Sequence, residues 1–344
     1  MPGVAVISPS PDDEIAARHV SRLKSHGARV MLSGYLEALP GSPDTIFVFG
    51  PFGTLAPLIQ QLREIDPGSR PAFVLLQGEQ LPNPDWPEWL LNRLGDLRSA
   101  LEMRAYQQQE DKSWVVRPGW KWIERRALRL RYYGDLRRLR RMGLLNGLMV
   151  WSRWTAAYLN DRGFPCLPLP PQLNPGWGAD QKLVRDIPVL WLGKVGSARR
   201  ARHLQRVRSE LKQRGIELLV VDGRENPYVF GDARTRLLNR TQIVLNLLRE
   251  KWDNNSLRYL LATQNGALVI GEPTLPHTAF QPGVHWVAAP IAELAETIAY
   301  YLQNEHQRAR IVSQALELLE TITGESDLIV DQVLRRFEIR ITRK

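Results

Sequence analysis

The sequence predicts an α/β protein of two doubly wound parallel-sheet domains facing each other across a cleft. Three observations carry that expectation. Short apolar runs alternate with segments of helical period, the rhythm of buried parallel strands covered by helices on both faces. A proline- and glycine-rich stretch, PCLPLPPQLNPGWGADQ (165–181), breaks every periodicity in mid-chain. The same rhythm then restarts. A chain of 344 residues is long for one ordinary core, and its 44% hydrophobic content is that of a folded soluble protein.

In the first half, VAVIS (4–8) reads as a strand and 13–26 as a helix, with Ile15, Val20 and Leu23 apolar and Gly27 as its stop. ARVMLS (28–33), TIFVFG (45–50) and AFVLLQ (72–77) are further strands, and 55–65 is helical. Two helical segments, 86–108 and 120–142, flank a polar stretch near Lys112. LMVWS (148–152) is a strand, and a helix over 153–162 ends at Gly163. The first domain is therefore expected over 1–180.

The second domain is expected over 185–324. PVLWLG (188–193) opens it as a strand, followed by a helix at 198–214 with Leu204, Val207 and Leu211 on one face. IELLVVDG, IVLNLL, ALVIGE and HWVAA supply further strands, with short helices at 233–240 and 257–264 between them. Helices at 291–303 and 305–322 follow, and a last amphipathic segment within 325–344 is expected to pack back on the first domain.

Several function classes drop out. Cys166 is the only cysteine, so neither an internal disulfide nor a multi-cysteine zinc site is available. No run reaches the ~20 apolar residues of a membrane span. The opening MPGVAVISPSPDDE turns acidic after one short apolar run and does not read as a secretory signal. A cytoplasmic protein is expected. The formal charge is +10, and residues 117–141 hold ten Lys/Arg against Glu124 and Asp135. So dense a basic block points to anionic partners.

The chemistry is expected in two places. In GKVGSARRARH, Gly193 and Gly196 permit a tight turn and Ser197 can cap the next helix. Lys194, Arg199 and Arg200 bring cations beside that helix start, a pattern suited to clamping phosphate oxygens. In VLNLLREKWDNNSLRYLLATQNGALVIGEP (244–273), Asn246 ends a buried strand, and Asn254, Asn255 and Ser256 are N-cap types. Arg258 sits in the first turn of the following helix, where a cation is disfavoured unless an anion joins it. Glu272 follows the next strand, where a carboxylate can accept ribose hydroxyls. An ordinary capped helix and a solvated basic face account for the same patterns.

WLGKVGSARRARHL, VLNLL, NNSLRYLLATQNGALVIGE and AAPIAELAETIAYYLQNEHQRARI together resemble the nucleotide-sugar half of GT-B glycosyltransferases, more narrowly the CgeB-like, family 1 or 4-type bacterial enzymes. The resemblance spans about 185–322. It implies two Rossmann-like domains, a donor site in the second, and transfer of a sugar from a nucleotide-sugar donor to an acceptor hydroxyl. Lys194, Arg199 and Arg200 would face the donor diphosphate, and Asn246, Ser256 and Arg258 would line the pocket. Where the family has a ribose-contacting glutamate, this chain has Leu261. No DxD triplet occurs and the histidines are scattered, so no metal and no resident cofactor are expected. The alternatives are a non-catalytic binding protein keeping the two-domain shell, and a protein that binds nucleic acid or an anionic surface through the 117–141 arginine block.

On the acceptor side, Asp12 follows the first strand and Glu79 the fourth, positions from which a carboxylate could act as base. Both also suit helix starts. The acceptor, whether glycan, lipid-linked or a small molecule, is not legible. The 117–141 block has three readings: a solvated arginine helix, a surface for anionic membrane lipid, and a nucleic-acid contact.

Overall fold

The computed structural model describes residues 3–8, 14–25, 27–50, 53–79, 81–169, 173–253, 256–275 and 279–336. Asp12, Asn254 and Asn255 lie outside them. The chain divides into two compact units, Met1–Leu169 with Leu328–Lys344, and Pro170–Asp327.

The first unit runs β1 (Gly3–Ile7), α1 (Glu14–Ser25), β2 (Arg29–Ser33), β3 (Thr45–Gly50), α2 (Ala56–Glu64), β4 (Ala72–Gln77), α3 (Glu88–Ala105), β5 (Tyr106–Gln108), β6 (Trp114–Val116), α4 (Leu128–Arg141), β7 (Gly147–Val150), α5 (Arg153–Asp161) and β8 (Cys166–Pro168). Six strands form one parallel sheet in the order β2-β1-β3-β4-β7-β8. Alternation along its strands sorts the core onto two faces. Ala5, Ile7, Ile46, Val48, Phe73 and Leu75 pack with Leu58 and Leu62 of α2 and with Leu136 and Leu139 of α4. Val4, Val6, Phe47, Phe49, Val74 and Leu76 pack with Ala16, Val20 and Leu23 of α1.

Two features depart from the sequence expectation. The segment expected as one helix to 108 ends at Ala105, and Tyr106–Gln108 pairs antiparallel with Trp114–Val116. Burial of Tyr106 and Trp114 against Ile123 outweighs continued helix. The stretch assigned to the linker contains β8, an edge strand, where proline is tolerated because one side of the backbone needs no partner.

Helices α3 and α4 meet at Gly95 and Gly134. A Cβ built on Gly134 would fall on the carbonyl of Gly95, so only glycine permits this approach. The close crossing changes the reading of the arginine block. Arg137 and Arg141 bond Asp96 at 3.0 and 2.9 Å. Arg138 donates to Ser99 Oγ at 2.8 Å, and Arg131 pairs with buried Glu102 at 3.5 Å. Arg140 donates to the Arg162 carbonyl at 2.8 Å and covers the Phe164 ring. These arginines fasten α4 to its neighbours, Arg131, Arg137 and Arg138 from buried or half-buried positions and Arg140 and Arg141 from exposed ones.

The second unit runs β9 (Ile187–Leu192), α6 (Ala198–Gln213), β10 (Leu218–Val221), α7 (Gly231–Asn239), β11 (Thr241–Asn246), α8 (Ser256–Gln264), β12 (Leu268–Gly271), β13 (Val287–Ala288), α9 (Leu294–Gln303) and α10 (Glu305–Arg336), of which the part from Leu328 onward is counted with the first unit. Its sheet is parallel with order β10-β9-β11-β12-β13. Chain order reverses between β9 and β11, and the crevice beyond the carboxyl ends of such a strand pair is where doubly wound sheets receive ligands. The two helical segments expected after 305 are one helix, which passes through Gly324 without a break. Among the described residues, no helix is long and apolar enough to cross a membrane.

Candidate anion site at the switch point of the second sheet

Two loops leave the carboxyl ends of β9 and β11. After β9, Gly193 and Gly196 adopt φ of 112° and 70°, left-handed values that favour glycine. The Gly193 N–H donates to the Val221 carbonyl at 2.9 Å, fixing the turn to the end of β10. Ser197 caps α6 by accepting from the Arg200 N–H at 3.2 Å. The same hydroxyl donates to the Arg249 carbonyl at 3.1 Å, which joins the two loops.

Arg258, from the first turn of α8, reaches back under this turn and is only 8% exposed. Its Cζ lies 4.1 Å from the centroid of the fully buried Trp191 ring. Nε donates to the Leu192 carbonyl at 2.9 Å and Nη1 to Asn246 Oδ1 at 3.2 Å. Asn246 is held in turn by its amide N–H, which donates to the Tyr259 hydroxyl at 3.2 Å. A Cβ on Gly193 would stand 3.3 Å from Arg258 Nη2, so the glycine leaves the guanidinium room against the turn.

No carboxylate pairs with Arg258 among the described residues. Burial lowers its pKa well below the usual arginine value, and the neighbouring Arg200 and Arg249 lower it further. Arg200 is 3% exposed, donates to the Lys194 and Val195 carbonyls at 3.1 and 3.2 Å, and stands 5.5 Å from the Trp191 ring centroid. The Arg249 Nε lies 3.2 Å from where a Gly196 Cβ would sit. Lys194 is exposed on the turn. Three guanidinium groups and an ammonium thus surround two glycines at the switch point, an arrangement that attracts an anion.

Arg199 and Glu272 depart from the expected roles. Arg199 grips Glu272 with both terminal nitrogens and donates to the Leu248 carbonyl at 3.0 Å. Glu272, 5% exposed, also accepts from the Leu248 N–H at 2.6 Å. The clamp expected of Arg199 is therefore filled from within the protein. The carboxylate expected to meet ribose instead links α6, the loop after β11 and the end of β12. This bond raises the Arg199 pKa.

Of the other expected site residues, Ser256 opens α8 beside this cluster. Glu79 belongs to the first unit, two residues beyond β4, where its carbonyl accepts from Gln77 Nε2 at 3.0 Å. Arg249 was not among the expected residues. The signal was available: it directly follows the buried LNLL run at the carboxyl end of a parallel strand, where ligand contacts concentrate. Leu261, at the place of the family glutamate, is buried.

Residues 199–323 match the family model described as glycosyl transferase-like. The second unit is a glycosyl transferase-like domain. Solved structures share the fold over 85% to 98% of the chain. Sucrose-phosphate synthase from Thermosynechococcus elongatus is 11% identical with a TM-score of 0.58, the match covering 98% of this chain and 99% of that one. TarM is 9% identical with a TM-score of 0.52, over 85% of this chain and 54% of TarM. A mutant of S. aureus TarM, solved with fondaparinux, α-GlcNAc-glycerol and UDP, is 11% identical with a TM-score of 0.52, over 86% of this chain and 56% of that one. The chain spans about half the length of these TarM chains. No curated protein sequence matches it. The fold is GT-B, as the resemblance implied.

Proposed function

We propose that the glycosyl transferase-like domain binds the diphosphate of a nucleotide sugar at the turn Gly193–Ser197. The protein then transfers the sugar to an acceptor hydroxyl on a glycan, a lipid-linked saccharide or a small molecule. The observation that carries this reading is Arg258, a buried guanidinium with two more guanidinium groups beside it and, among the described residues, no carboxylate paired with it. A diphosphate supplies the missing charge.

Transfer breaks the bond between the anomeric carbon and the β-phosphate oxygen, and negative charge grows on the departing diphosphate. Arg258, Arg249 and Lys194 stand where cations oppose that charge, and the backbone N–H groups at the start of α6 add to them. On this reading the charge is met by side chains, and the reaction needs no divalent ion. Arg200 supports the turn through its carbonyls, and the Arg199–Glu272 pair holds both loops in place. Glu79, two residues beyond β4, is the described carboxylate proposed for the acceptor side.

A second reading rests on Leu261: without a carboxylate there, the domain would bind nucleotide and not turn it over. One experiment separates the two. UDP-, GDP-, ADP- and dTDP-sugars are screened by thermal shift, followed by release of labelled sugar with and without EDTA. Transfer or hydrolysis that survives EDTA is the expected result. Stabilisation without release selects the binding reading, and absence of any shift removes the donor site.

A further inference from the structure

The arginine block of the first unit divides in two, with Arg129, which donates to the Leu81 carbonyl at 3.4 Å, on the bonded side. Arg131, Arg137, Arg138, Arg140 and Arg141 are bonded within the fold, as described above. Arg117, Lys121, Arg125 and Arg126 are all exposed, and their side chains make no hydrogen bond or ion pair among the described residues. They surround a short 3-10 turn, Lys121–Glu124, held down by fully buried Ile123. Trp120 packs half-buried on the cluster of Tyr106 and Trp114. Trp122 stacks against it, ring centroids 6.1 Å apart at 21°, and is 45% exposed. Ala127, at a left-handed φ of 50°, separates this turn from α4.

We propose that this turn is a docking knob for an anionic lipid surface. Four cations stand against the single carboxylate of Glu124, so the local charge complements an anionic headgroup layer. Tryptophan favours the headgroup level, where its ring is half apolar and its N–H meets water. The pairing of a small apolar insertion with a basic rim suits reversible attachment, since neither suffices alone. A nucleic-acid strand fits less well: only one of the two stacked rings is exposed, which leaves no second platform for a successive base.

The test is flotation of the full chain with vesicles of phosphatidylcholine, and of phosphatidylcholine with phosphatidylglycerol. The wild type should float only with the anionic vesicles, and less as salt rises. Lys121→Glu with Arg125→Glu should weaken binding by at least about five-fold per charge removed. Trp122→Ala should weaken it with the same vesicles. A charge-matched control in the other unit, Lys212→Glu with Arg236→Glu, should float like the wild type. Unfolding midpoints equal to the wild type show that the variants are folded. The proposal is overturned if the wild type ignores anionic vesicles, if the Lys121/Arg125 variant floats undiminished, or if single-stranded RNA binds the wild type while vesicles do not.

Discussion

Arg258 lies against Trp191, its guanidinium carbon 4.1 Å from the ring centroid, in a part of the second sheet where no described carboxylate balances it. A cation–π contact and two hydrogen bonds partly replace its lost hydration, but neither neutralises its charge.

Replacing Arg258 with methionine keeps the side-chain stem and removes the charge. Leu192 O and Asn246 Oδ1 lose a donor, costing about 1 kcal/mol each, while relief of the unbalanced charge offsets that loss. The unliganded stability should therefore change by no more than about 1–2 kcal/mol. Stabilisation by a nucleoside diphosphate should fall at least about tenfold in apparent affinity. Urea midpoints and thermal shifts, each with and without nucleotide, read the two effects separately.

Asp135 gives the first unit a pH dependence of the less usual sign. Burial raises its carboxyl to about 7, and Glu102 pushes in the same direction. Arg131, a hydrogen bond from Ser99 and Arg98 pull the other way. Its Oδ2 is buried without a partner, so no donor stabilises negative charge on that oxygen. The folded state thus holds a proton that the unfolded chain releases near 3.8. Stability from this group declines as pH rises from about 4 to about 7 and is flat beyond. Asp135→Asn, neutral throughout, should remove that decline and be the more stable protein at alkaline pH, by a few kcal/mol. Urea unfolding of wild type and variant at acidic, neutral and alkaline pH measures the difference.

Gly134→Ala should be among the most damaging small substitutions in the chain. The added methyl group meets the backbone of Gly95, which cannot swing aside as a side chain would. A loss of roughly 3 kcal/mol or more is expected, at the upper end for overpacking. Gly95→Ala should cost less, because its Cβ would meet the Tyr133 ring at 3.2 Å and the Gly134 Cα at 3.3 Å, which small shifts relieve. The graded pair is checked by the unfolding midpoint of the first unit.

Much of the fold was legible because period is a local property. The runs VAVIS, TIFVFG and AFVLLQ become β1, β3 and β4, and Gly27, Gly163 and Gly215 follow the ends of helices, as their lack of a Cβ allows. The misses are equally physical. Cys166–Pro168 was hidden by its prolines, and Tyr106–Gln108 by a helical pattern that runs into it. At the candidate site, Gly193, Gly196 and the Ser197 cap could be read directly, since each answers a local backbone need.

The sequence by itself determined two α/β units, the strand ends at which a ligand can be met, and the abundance of arginine near them. Only the tertiary structure decided which arginines are neutralised. Arg199 finds Glu272, 73 residues away, while Arg258 finds an aromatic ring and an amide. Arg137 and Arg141 find Asp96, and Arg117 to Arg126 find solvent. Composition fixes how many charges a chain carries. Whether a given charge is free to act depends on which distant side chain the fold brings within a few ångströms of it, and spacing along the chain does not contain that information.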